Sequence, residues 1–160
     1  MAGKLQHEIG KRKPFECAEE EAFLSILRTA DVLNRAVVEM LKPHELSPTQ
    51  YNVLRILRGT CTAGTSGLAC NAIADQMLTR DPDMTRLLDR LEKRGLISRA
   101  REEKDRRVVR TCITEKGFDL LAAIDPLVAE CDRKYLAHVG EKRLRQLIDL
   151  LELARERVPT

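Results

Sequence analysis

The sequence predicts a mainly α-helical chain carrying one small β-hairpin. Long apolar stripes of helical period lie near both ends, and a helix–strand–tip–strand pattern lies between them. Charge is the third observation. Residues 86–110 hold ten Lys or Arg and five Asp or Glu, a net +5, whereas the whole chain carries +3. The remainder is slightly acidic, so positive charge is localised on the helix and hairpin, as phosphate binding requires.

Composition narrows the class. A length of 160 residues suits one domain, or one domain with an oligomerisation part. Only 3% of residues are aromatic and none is Trp, which disfavours stacking platforms for single strands. No apolar run approaches the roughly 18 residues of a membrane span, and no signal-peptide core follows Met1. A cytoplasmic protein with no membrane partner is expected. Cys17, Cys61, Cys70, Cys112 and Cys131 form no CxxC pair, so reduced thiols, several of them buried, are expected. His7, His44 and His138 lack metal-ligand spacing, and neither a metal nor a cofactor is expected.

The elements follow in order. Residues 1–17 read as a flexible basic arm with Lys4, Lys11, Arg12 and Lys13; it is solvated, or it touches DNA or a second subunit. Residues 18–41 form a helix with Phe23, Ile26, Leu27, Ala30, Leu33, Val37, Met40 and Leu41 on one side, acids in its first turns and Pro43 beyond its end. Ser47-Pro48-Thr49-Gln50 is a capping box, and its helix carries Tyr51, Val53, Leu54, Ile56 and Leu57 up to Gly59. Residues 60–67 read as a loop. Gly59 and Gly64 faintly suggest a phosphate loop, but Thr65 stands where Lys is needed.

Residues 71–78 are a short helix, and a turn at Thr79 and Arg80 leads to a second helix over 82–94. Asp81 is its expected cap, Pro82 its first residue and Gly95 its stop. Met84, Leu87, Leu88 and Leu91 make its apolar stripe; Arg86, Asp89 and Lys93 project oppositely, with Thr85 and Arg90 on the flanks. Strands at 97–101 and 107–113 pair around a tip at 102–106. Two helices around a tight turn, the second outwardly basic, make a helix-turn-helix, and the hairpin makes it winged. Thr114 caps the next helix, which runs through Pro126 as a kinked whole or as two parts, with a kink favoured. After Gly140, residues 141–157 form the last helix, with Leu144, Leu147, Ile148, Leu151 and Ala154 on one stripe. The terminal stripes exceed what so small a domain can cover, so a second copy of the chain is expected to bury them.

These motifs resemble the MarR family of bacterial transcription regulators. LSPTQYNVLRIL at 46–57, DPDMTRLLDRLEKRGLI at 81–97 and DRRVVRTCITEKG at 105–117 carry the resemblance, which covers roughly residues 18–157. It implies a winged helix-turn-helix domain at 46–113, with dimerisation helices at 18–45 and 114–160. It implies a homodimer on a pseudo-palindromic double-stranded operator. It further implies repression relieved by a small molecule or by cysteine oxidation. By motif, Asp83, Thr85, Arg86 and Arg90 would face bases and phosphates, joined by Lys93 from the cationic face. In the Asp-x-Arg wing motif of Asp105, Arg106 and Arg107, Arg107 would enter the minor groove with Asp105 holding it; the plainer reading is a surface salt bridge. Asp89 either orients Arg86 or Lys93, accepts from a cytosine amino group, or is a solvated acid.

An effector cleft would draw on Arg28, His44, Tyr51 and Arg55, although a solvated or capping role also suits His44. Cys17 precedes the first long helix and is either an inert thiol or a redox sensor. Two further classes compete. A winged module that binds protein needs an apolar or acidic recognition face, which Arg86, Arg90 and Lys93 oppose. An enzyme needs a nucleophile elbow, a metal-ligand cluster or a complete phosphate loop, and none is present in the sequence.

Overall fold

A computed structural model of the chain describes residues 4–62, 67–102 and 108–156. Its order is α1 (Lys4–Glu8), α2 (Ala18–Leu41), α3 (Pro48–Thr62), β1 (Leu68–Ala69), α4 (Cys70–Ala74), α5 (Met84–Lys93), β2 (Ile97–Arg101), β3 (Val109–Ile113), α6 (Glu115–Leu136) and α7 (Glu141–Arg155). The mainly helical, winged architecture is as expected.

The core forms where α3, α4, α5 and α6 meet a small antiparallel sheet. Leu41, Val53, Leu54, Leu57, Ile73, Leu91, Leu121 and Ile124 have no exposed surface. All four apolar residues of α5 are buried in this cluster. Burying each contributes about 1.5–3 kcal/mol, so the inward face of α5 is strongly determined.

The sheet order is β1-β3-β2, with Ile97 opposite Ile113 and Arg101 opposite Val109. The expected hairpin is therefore present, and β3 is its central strand. The sequence reading missed β1, because two residues are too few to show a period of two.

Several boundaries differ, each for a local reason. The expected arm contains α1, and beyond it Lys11 meets Glu20 at 3.0 Å. Gly59 does not end α3, which continues to Thr62. A side chain at Gly59 would meet nothing within 4 Å, so glycine there costs only its own entropy. The Thr60 hydroxyl also donates to the Ile56 carbonyl at 2.9 Å. Helix α4 stops at Ala74, short of residue 78, because the chain tightens: Gln76 N–H turns to Ile73 and Met77 N–H to Ala74. The Leu78 N–H then donates to the Asn52 side chain on α3 at 2.8 Å.

The cap of α5 is Asp83, not Asp81. Its carboxylate accepts from the Arg86 N–H at 3.0 Å, while Asp81 accepts from the Asp83 N–H at 2.9 Å and so forms the preceding turn. Pro82 lies in that turn, outside the helix. At the other end Gly95 (φ 71°) stops the helix as expected. Its N–H reaches Glu92 at 2.8 Å and the Leu96 N–H reaches Leu91 at 3.0 Å, the paired bonds of a Schellman motif.

The remaining expectations hold more closely. Ser47 and Gln50 exchange both bonds of the capping box, at 3.0 and 3.2 Å. Thr114 caps α6 by accepting from Gly117, and α6 runs unbroken through Pro126. Gly117 is buried where α6 touches the sheet; a Cβ there would meet the Leu96 carbonyl and Ile113. A bidentate Arg58–Asp125 pair, at 2.7 and 3.0 Å, ties α3 to α6.

Candidate nucleic-acid interface

The two ends of α5 are fixed by its cap and by Gly95, and its inner face is fixed by the core. What remains outside is a solvent-facing strip of Thr85, Arg86, Asp89, Arg90 and Lys93, all exposed. Among the described residues no carboxylate lies within ion-pair distance of Arg86, Arg90 or Lys93. Three cations with no ion-paired carboxylate among the described residues form a cationic ridge on one helix that a polyanion can neutralise.

Arg86 and Arg90 also line a cleft of about 240 Å³. Its other walls are Asp81 and Asp83 from the turn and Ser47, Thr49 and Gln50 from the start of α3. Ser47, Thr49 and Gln50 were read from the sequence only as a capping box. That they face α5 follows from how the two helices cross. The Ser47 and Thr49 hydroxyls are 2.9 Å apart and offer donors beside the two guanidinium groups. Asp83 is present at this cleft, but one of its carboxylate oxygens is engaged as the cap.

Asp89 pairs with neither Arg86 nor Lys93 among the described contacts, although its side chain is 55% exposed. It accepts from Arg99 of β2 at 2.5 Å. Arg99 also holds Glu92, at 2.5 and 2.9 Å. This hydrogen bond from Arg99 holds the Glu92 carboxyl below the usual carboxylate range. Both acids of the helix are thus tied to the wing strand through Arg99. Further along the wing, Arg110 pairs with Glu102 at 3.1 Å. Asp105, Arg106 and Arg107 lie outside the described residues.

The expected effector residues divide. Tyr51 and Arg55 line one cleft of about 300 Å³ between α2, α3 and α6, together with Asn34, Val37, Val128 and Cys131. The Arg55 guanidinium lies 5.8 Å from the centre of the Tyr51 ring, and burial pushes the Tyr51 phenol up. Arg28 lies elsewhere, in a groove of about 530 Å³ between α2 and α6. It stands 3.7 Å from Glu8 and 3.8 Å from Asp31. His44 lines neither cavity; its carbonyl accepts from Arg94 at 3.1 Å. Cys17 is exposed at the cap position of α2, whereas Cys61, Cys70, Cys112 and Cys131 are half-buried.

Comparison with known proteins gives a consistent result. The sequence profile of the MarR family matches residues 46–109. The HTH-type transcriptional regulator TtmR of Methylorubrum extorquens (strain PA1) is 30% identical over 123 residues, spanning 77% of this chain and 60% of that protein. The chain thus matches less than two thirds of that relative's length. The MarR transcription factor from Planctomyces limnophilus is 39% identical with a TM-score of 0.66, over 87% of this chain and 98% of the other. CouR, a transcriptional repressor solved on a 23-mer DNA duplex, is 24% identical with a TM-score of 0.74, over 90% of this chain and 100% of the other. CouR from Rhodococcus jostii RHA1, solved with p-coumaroyl-CoA, is 24% identical with a TM-score of 0.71, over 91% of this chain and 99% of the other. At that identity the likeness to CouR is one of fold.

Proposed function

The chain belongs to the MarR family of transcription regulators, and from that premise we propose that it is a homodimeric repressor of a pseudo-palindromic operator, released by a small molecule. Members of the family are DNA-binding regulators and not enzymes. The observation that carries the reading is the ridge of Arg86, Arg90 and Lys93 on a helix whose opposite face is buried. A helix with such a face fits a major groove. Arg86 and Arg90 are the proposed base readers, with Thr85 and Asp83 at the helix start. Lys93 is a proposed phosphate contact. Arg107, with Asp105 and Arg106, is the proposed minor-groove element of the wing.

The homodimer is supported by uncovered apolar surface. Phe23, Ile26 and Leu27 on α2 and Leu147, Ile148, Leu150 and Leu153 on α7 are all exposed in the single chain. On α7 they widen the expected stripe to an arc of about 220°, more than one neighbour can cover. The terminal helices are accordingly the proposed dimerisation elements, residues 18–45 and 114–160, around a DNA-binding domain at 46–113. Release by a small molecule is supported by the cleft at Tyr51 and Arg55, whose ring, cation and apolar wall suit a partly apolar anion. No helix among the described residues is long and apolar enough to cross a membrane. A cytoplasmic location belongs to the same proposal.

Selection of bound duplexes from a random pool, followed by titration, tests the reading. It should return an inverted repeat with half-sites roughly 10 bp apart. Recovery of no sequence preference would count against it.

A further inference from the structure

This inference rests on the reading of α5 as the helix that faces DNA. Asp89 projects from the outward side of α5, between Arg86 and Lys93, and its side chain is 55% exposed. Glu92 flanks it and is 39% exposed. Two carboxylates in such positions would confront the phosphates that the three cations attract. Arg99 reaches both from β2. One of its terminal nitrogens lies 2.5 Å from Asp89 and 2.5 Å from Glu92, and its Nε lies 2.9 Å from Glu92. Its own side chain is only 24% exposed, so the guanidinium is turned to the helix and away from solvent.

We propose that Arg99 is a positioning residue for DNA binding, which screens Asp89 and Glu92 from the phosphates and holds the wing strand against the recognition helix without touching DNA. Arg99 grips Glu92 with two nitrogens while one of them also reaches Asp89, a two-nitrogen grip that the single nitrogen of a lysine cannot reproduce. Partly exposed pairs of this kind contribute little to folding, so the main consequence of the arrangement is the field it leaves on the outer face. With Arg99 in place, one oxygen of each acid is paired with a guanidinium, and Arg86, Arg90 and Lys93 dominate the face. Without it, the same face presents three cations beside two unscreened acids.

The test uses the duplex that the wild-type protein selects from a random pool. R99A should bind it about tenfold more weakly, from like-charge juxtaposition. R99A combined with D89N and E92Q should recover to within about threefold of wild type, because the repulsive charges are gone. Wild-type affinity in R99A overturns the proposal. So does a triple variant that stays as weak as R99A, since Arg99 would then act by direct contact or by fold alone. If R99A does not fold, R99K carries the test: it should lose affinity and regain it with D89N, and failure of either step overturns the proposal. A wild-type protein that binds no duplex refutes the DNA-facing reading itself, a result distinct from any difference between variants.

Discussion

Arg86 stands on the outer face of α5 with its N–H spent on the Asp83 cap and its side chain in solvent. Arg86→Ala should therefore leave melting close to wild type and reduce discrimination at one base position by about 1–3 kcal/mol, measured by titration against single-substitution operators. Arg107→Ala should instead weaken binding to all duplexes and lower the salt slope by about one unit. Asp125 gives a pH prediction. The hydrogen bond from Arg58 depresses its folded pKa. Its contribution is then present above the unfolded carboxyl pKa and is lost as pH falls through the folded value. The stability gap between wild type and Asp125→Asn should be flat near neutrality and close below roughly pH 4. At 45% exposure the gap is at most about 1 kcal/mol. Cys17→Ser should leave DNA affinity and its response to peroxide unchanged; release of wild type but not of the mutant would make Cys17 a sensor.

At the scale of elements, Gly117 is the sharpest case. Any Cβ there collides with the Leu96 carbonyl, a backbone atom that cannot swing away, and with the Ile113 side chain. Gly117→Val should cost about 1–3 kcal/mol or more by chemical denaturation, from overpacking where α6 meets the sheet. The interior of α5 was legible because Met84, Leu87, Leu88 and Leu91 repeat at helical spacing and all are buried. Its start was not, since Asp81 and Asp83 are both good caps and only the folded turn assigns one to each bond. Strand β1 and the Asn52–Leu78 bond were illegible for a related reason: each is made by partners distant in sequence. The site followed the same division. The cations of one helix could be read from spacing. The role of Arg99 and the approach of Ser47, Thr49 and Gln50 to Arg86 required the crossing of separate elements.

For the whole molecule, the exposed leucines of α7 and the apolar side of α2 lead to a dimer prediction. Light scattering at micromolar concentration should give twice the chain mass of 18.2 kDa. Leu147→Glu should lower both the mass and the melting temperature, because an unpaired charge would be buried between subunits. A stable, folded monomer of the wild type would remove the two-fold basis for an inverted repeat. The central claim is that the ridge on α5 carries DNA binding, and a salt-dependent titration tests it most directly. Wild type and an Arg86→Ala, Arg90→Ala, Lys93→Ala triple variant would be titrated with the selected duplex at several salt concentrations. The triple variant should lose most of its affinity, and its log–log salt slope should fall by about one unit for the phosphate contact of Lys93. A triple variant that keeps the affinity and slope of wild type would contradict the claim and place DNA binding, if any, on another surface.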